Sequence, residues 1–197
     1  MVHPVYVSAG LAWEASELEA IRRLLAAPAF AGRVRPVTCL EFNMRDLYPV
    51  SHWAIQGKPP AYDTPDEDVY LYGRNVALLA KAAVFCMLRS IPRLVLGPLA
   101  GNPFPDATPE FFRAMGHALS LGLAAPIEIA APFSAMHKED VVRLGETLKV
   151  PLDLTLSCMN PVGLRHCGRC SKCRERHDAF RDAAVSDPTD YASPPPR

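Results

Sequence analysis

The chain has 197 residues, 49% of them hydrophobic, and its 21 Lys+Arg balance 21 Asp+Glu. This excludes a mainly disordered chain and suits one domain with a sizeable core. A net charge of zero gives no sign of a nucleic-acid or membrane surface, and no apolar run approaches the roughly 18 residues of a bilayer span.

In chain order, Val5-Tyr6-Val7 is a strand that stops at Ser8-Ala9-Gly10. Nothing before it has the basic region or long apolar stretch of a signal peptide, so a cytoplasmic setting is expected. From Glu14 to Ala27 the period turns helical, with Leu18, Ile21, Leu24 and Leu25 on one face. A second strand is expected over Val34 to Phe42. Residues 43 to 72 show no period and hold four prolines, a long functional or mobile loop. Asn75 reads as the cap of a helix over Val76 to Arg89, apolar nearly all round and so expected to be buried on most sides. Leu94-Val95-Leu96 is a strand stopped by Gly97. Thr108-Pro109 starts a helix that ends near Gly122, with a capping hydroxyl and proline in the first turn. Ile127-Glu128-Ile129 is a strand, His137 to Lys149 an amphipathic helix, and the last helix runs from Ser171 to about Ala184. Strands alternating with helices imply βαβ units and a mostly parallel α/β sheet with right-handed crossovers. One domain is expected over 1–186. The tail 187–197, with four prolines after Asp187, is expected to be disordered.

Six cysteines are present. Cys39 and Cys86 lie alone in apolar stretches and are expected to be buried. Cys158, Cys167, Cys170 and Cys173 crowd into sixteen residues, separated by eight, two and two. Without a secretion signal, such crowding favours a metal over disulfides. A CxxC turn lets two thiolates face one tetrahedral ion, and Gly168 suits a knuckle whose φ is positive. Four thiolates with no open position suit one structural Zn2+. An iron–sulfur cluster and a redox dithiol are the chemical alternatives. Arg165, Arg169, Lys172, Arg174 and Arg176 surround the cysteines and are expected to offset thiolate charge. His166 and His177 could replace a cysteine, but beside four thiols each reads as a bystander.

The run from Thr155 to Asn160, then His166 to Cys173, Arg176 and Ala179-Phe180 resembles the C-terminal zinc motif of the 7-cyano-7-deazaguanine synthase family. Gly73-Arg74-Asn75 looks like that family's segment opening an apolar helix. Gly97, Phe104-Pro105-Asp106 and Glu110-Phe111 look like its substrate-loop motif. Ala118 to Gly122 and Pro132 to Lys138 match in order. The resemblance implies a Rossmann-like, doubly wound fold of the adenine nucleotide alpha hydrolase type. It also implies ATP, with Mg2+, used twice to convert 7-carboxy-7-deazaguanine and ammonia to the nitrile precursor of queuosine. By the same resemblance, Gly73, Arg74, Asn75 and Gly97 line the nucleotide or substrate pocket. Asp106 accepts from the deazaguanine amino group, Lys138 lies near phosphate, and the enzyme is a homodimer.

The family's Ser-Gly-Gly-x-Asp-Ser phosphate loop does not occur in this sequence, and the second-strand motif is altered to Ala9-Gly10-Leu11 and Trp13-Glu14. That loop follows a central strand and binds pyrophosphate through backbone N–H groups. Without it the flanking strands must expose backbone groups or close up. The expectation is a recorded start inside a longer gene. The alternatives are a loop supplied by another chain or loss of the ATP chemistry. In that last case the protein is a zinc-stabilised module binding a purine-like ligand. A related enzyme with another carboxylate substrate is the remaining reading.

Overall fold

The computed structural model describes residues 1–196. Among them the chain order is β1 (Val5–Ser8), α1 (Glu14–Ala26), β2 (Thr38–Glu41), α2 (Trp53–Gln56), α3 (Arg74–Leu88), β3 (Arg93–Val95), α4 (Pro109–Leu123), β4 (Glu128–Ala130), α5 (Lys138–Thr147) and α6 (Ser171–Ala183). β1 pairs in parallel with β2, Val5 opposite Thr38 through Ser8 opposite Glu41. β3 pairs in parallel with β4, Arg93 opposite Glu128 through Val95 opposite Ala130. Helices α1 and α4 make the two crossovers, so the protein is α/β with parallel strands, as the alternation implied. The strands form two separate two-stranded sheets.

The chain comprises two compact units, Met1–Val69 with the residues from Glu139 on, and Tyr70–Lys138. The first unit packs Leu11, Trp13, Ala20, Met44, Tyr48 and Ala54 into its interior. Trp13 stacks on Trp53 with ring centroids 5.7 Å apart and planes 8° apart. The Ala12 N–H donates to the Ala54 carbonyl at 2.9 Å. Up to Val69, the segment expected as a functional or mobile loop therefore contributes to this core and holds α2 and a 3-10 turn at Asp66–Val69. β2 alternates half-buried and exposed positions, which turns Cys39 outward and corrects its expected burial.

In the second unit, Gly73 enters α3 at φ +72°, a conformation that favours glycine, and takes the capping position expected of Asn75. Ala77, Leu79, Ala82, Ala83, Phe85 and Cys86 bury one side of α3. Val76, Val84, Met87 and Leu88 remain exposed, so the helix is not buried on most sides as expected. α4 starts as its sequence dictates, with the Thr108 hydroxyl accepting from the Phe111 N–H at 3.1 Å and Pro109 in the first turn.

The tail is the largest departure. Residues 187–196, expected to be disordered, are fixed against the cysteine segment: the His166 N–H donates to the Asp190 carbonyl at 2.9 Å, and the Ala192 N–H to the His166 carbonyl at 2.7 Å. Arg197, the last residue of that expectation, lies outside the described residues. No helix among the described residues is long and apolar enough to cross a membrane.

Candidate functional site

The first unit ends in the four cysteines. Cys158 follows the 3-10 turn Leu152–Leu154, Cys167 leads into the turn at Gly168, Cys170 stands just before α6, and Cys173 is inside it. Their ligand atoms all lie within 4.8 Å of one another. Sulfur pairs are 3.9 Å apart for Cys158 and Cys170, 3.8 Å for Cys167 and Cys173, and 3.5 Å for Cys170 and Cys173. Sulfurs about 2.3 Å from a tetrahedral ion stand roughly 3.8 Å from each other, so the set fits one such ion. The thiols are free, with separations far beyond the roughly 2.05 Å of a disulfide. Hydrogen bonds inside the cluster pull the group apart electrically. Cys158 is the main cause that holds the Cys167 thiol well below its usual range, and Cys167 is the main cause that pushes Cys158 up. Four buried thiolates need a cation at their centre to ionise together.

Backbone amides, more than basic side chains, serve these sulfurs. The Asn160 and Cys167 N–H groups donate to Cys158 Sγ, and the Arg169 N–H to Cys167 Sγ, each at 3.3 Å. Gly168 has φ +76°, the positive value expected of the knuckle. The basic residues are mostly engaged elsewhere, contrary to expectation. Arg165 pairs with Asp190, Lys172 with Glu175, and Arg174 with Asp66 while also donating to the Thr64 carbonyl. Those last bonds, with a bridge between Ala61 and Cys170, tie the segment before residue 70 to the start of α6.

Two buried residues organise the rim. His166 is only 3% exposed and is not one of the four ligands. Its Nε2 accepts from the Ser157 N–H at 3.0 Å, and burial, then the nearby Arg176 charge, pushes it down to about 4, so it stays neutral. Arg176 is buried, and the Asp187 carboxylate acts on its charge. Its guanidinium donates to Thr189 Oγ1 (2.6 Å), Thr155 Oγ1 (2.9 Å), Ser157 Oγ (3.3 Å) and the Leu152 carbonyl (2.8 Å), and lies over the Phe180 ring. His177 is half-buried on α6 and stands outside the cluster.

In the second unit, the structure brings together residues that the sequence placed far apart. The Asn75 N–H donates to Asp106 Oδ2 at 3.0 Å, and the Asn75 side-chain amide to the Asp106 carbonyl at 2.9 Å. Asp106 is 7% exposed; burial raises its carboxyl above the ordinary value, while the Asn75 bonds and the Arg74 charge pull against that rise. Arg74 Nε is buried without a hydrogen-bond partner. Gly97 stands beyond the end of β3, and Lys138 is the first residue of α5. The sequence reading missed Tyr70, which stacks on the motif residue Phe104 with centroids 5.1 Å apart. Tyr70 feels the Asp106 charge, and its hydroxyl is raised mainly by burial. Its place three residues before Gly73-Arg74-Asn75 was the one local signal that could have found it.

The altered turn after β1 is filled from within. Glu14 accepts from the Ser8 hydroxyl at 2.6 Å and from the Ala9 and Gly10 N–H groups at 2.7 and 3.2 Å. A side-chain carboxylate thus takes the backbone donors that an anion would need there.

The model of the family described as queuosine biosynthesis protein QueC matches residues 52–184, a stretch that holds Asn75, Asp106 and all four cysteines. The 7-cyano-7-deazaguanine synthase of Methanothrix thermoacetophila is 32% identical over 197 residues, covering 96% of this chain and 87% of that protein. The enzyme of the same name from Anaeromyxobacter dehalogenans is 33% identical, over 89% of this chain and 79% of its own. That of Methanopyrus kandleri is 40% identical, over 83% and 67%.

Proposed function

Because the chain belongs to the QueC family of queuosine biosynthesis proteins, we propose that it serves the ATP-dependent conversion of 7-carboxy-7-deazaguanine and ammonia to 7-cyano-7-deazaguanine in the cytoplasm. A carboxylate is a poor acyl donor until its oxygen can leave. Adenylation releases pyrophosphate and makes AMP the leaving group. Ammonia then forms the C–N bond of the amide. A second adenylation, on the amide oxygen, lets AMP depart with loss of the nitrogen-bound protons, leaving the nitrile. ATP enters with Mg2+. Asp106 accepts from the amino group of the deazaguanine, Arg74 and Asn75 with Gly73 and Gly97 line the pocket, and Lys138 faces phosphate. One Zn2+ on Cys158, Cys167, Cys170 and Cys173 holds the fold and takes no part in the chemistry. The working form is a homodimer.

The observation that supports this most is the family match over residues 52–184, which takes in both the cysteine cluster and the Asn75–Asp106 pair. The test is to incubate the purified chain with 7-carboxy-7-deazaguanine, ammonia, ATP and Mg2+, and to follow AMP and nitrile by mass spectrometry. Formation of both supports the enzyme. The Glu14-filled turn favours one other reading, a binding module for the same deazapurine. Saturable binding of 7-carboxy-7-deazaguanine without AMP release would establish that reading instead.

A further inference from the structure

We infer that the C-terminal segment 187–194 is a strap that retains the metal ion of the cysteine knuckle. This rests on the zinc reading above, and it gives a function to residues whose composition suggested disorder.

The strap is bonded to the knuckle along its length. Tyr191 forms a parallel bridge with His166, one residue from Cys167. Arg165, on the knuckle, donates to Asp190 Oδ1 at 3.0 Å and to the Tyr191 carbonyl at 2.8 Å. Arg176 reaches Thr189 from α6. Asp187 closes the strap on itself, accepting from the Thr189 N–H at 3.0 Å and from the Tyr191 hydroxyl at 2.8 Å. The Tyr191 ring lies against the cysteine cluster and edge-on to the His166 ring. Beyond it the Ser193 carbonyl occupies the notch above Gly168, in the space a Cβ would take. The two elements are thus fitted to each other backbone to backbone, at the turn carrying the amide that serves Cys167.

The strap can also open without the rest. α6 has its own stop at Ala184, in the left-handed conformation, with the Ala184 and Val185 N–H groups bonded back to Arg181 and Phe180. Nothing in that stop depends on residue 187 onward. Segments held by a few hydrogen bonds and little buried apolar surface open locally, well below the energy of global unfolding. Opening here uncovers the Cys167 side of the cluster to a chelator or an alkylating agent. The rate of ion loss is therefore set by the strap.

The experiment compares the parent with a chain ending at Ser186 and with Tyr191→Ala. Zinc content is measured first. Release to 4-(2-pyridylazo)resorcinol and alkylation by iodoacetamide are then timed under native conditions. The shortened chain should keep about one zinc but release it faster, on the order of tenfold or more, with alkylation accelerated in step. Tyr191→Ala should fall between it and the parent, and decides the matter if the shortened chain does not fold. Release and alkylation at the parental rate overturn the strap. A parent without zinc overturns the metal reading, and the strap with it.

Discussion

Asp106 caps the start of α3 from 31 residues away, through the Asn75 N–H, and Asn75 answers by donating its side-chain amide to the Asp106 carbonyl. The carboxylate therefore has two conceivable tasks, holding the helix and meeting a ligand. Its ionisation separates them. Burial raises its value in the folded protein, so folding favours the protonated form. That contribution is complete below the unfolded value and is lost as pH rises through the folded one. At neutral pH the buried charge opposes folding. Asp106→Asn removes the charge and keeps an acceptor for Asn75. Tm at pH 7 should hold or rise, and the gain should vanish in acid. Affinity for 7-carboxy-7-deazaguanine should fall by about 2 kcal/mol, roughly thirtyfold, as expected for a hydrogen bond to a charged group. A lower Tm with unchanged binding would leave Asp106 a helix cap and nothing more.

Metal removal should unfold the C-terminal part of the first unit. Cys170 lies 3.9 Å from the Cys158 sulfur and 3.5 Å from the Cys173 sulfur, and its removal leaves three ligands. Structural zinc contributes on the order of 10 kcal/mol or more in small metal-dependent folds. Cys170→Ser should purify with far less than one zinc per chain and melt much earlier, and a chelator should bring the parent to the same state. Equal melting curves would show that the knuckle is not structural. Iron with visible absorbance in the parent would replace zinc by a cluster.

Arg176 offers a sharper test of the same region because it touches no ligand. Its charge is buried, and four groups depend on it: the Thr189, Thr155 and Ser157 hydroxyls and the Leu152 carbonyl. Arg176→Ala strands these partners and removes the contact with Phe180, at a cost of about 3 kcal/mol or more in urea unfolding. Arg176→Lys should recover only part of this, since an ammonium cannot serve several segments with one planar fork. Full recovery by lysine would mean that charge alone matters here.

Local signals in the sequence were reliable where local physics decided the outcome. Thr108-Pro109 started α4, and the cysteine spacing assembled the tetrahedral set, because capping and CxxC geometry need only neighbours. Two readings failed where partners were distant. Residues 43–72 have no period, yet Met44, Tyr48 and Ala54 are buried, because they pack on Leu11 and Trp13 surroundings that no window reveals. The proline-rich tail has no local signal for order. Its partners are Arg165, His166, Gly168 and Arg176, residues whose own motif suggested metal binding and nothing about a tail. The Asn75–Asp106 pair was legible only as two motif residues in order; their hydrogen bonds were not.

Gly168 joins these threads in one measurable quantity. It needs the absence of a side chain for two independent reasons: its φ of +76°, and the Ser193 carbonyl in the space of its Cβ. The first is intrinsic to the knuckle and costs an alanine about 1 kcal/mol. The second exists only while the tail is in place. In the full chain, Gly168→Ala must expel the tail or distort the turn, and should lose about 2 kcal/mol or more. In a chain ending at Ser186 the same substitution should cost only the backbone share. A double-mutant cycle on these two changes therefore yields a coupling of about 1 kcal/mol or more. Additive effects would mean that the Ser193 carbonyl does not rest on Gly168 in solution, and that the tail makes its contacts elsewhere.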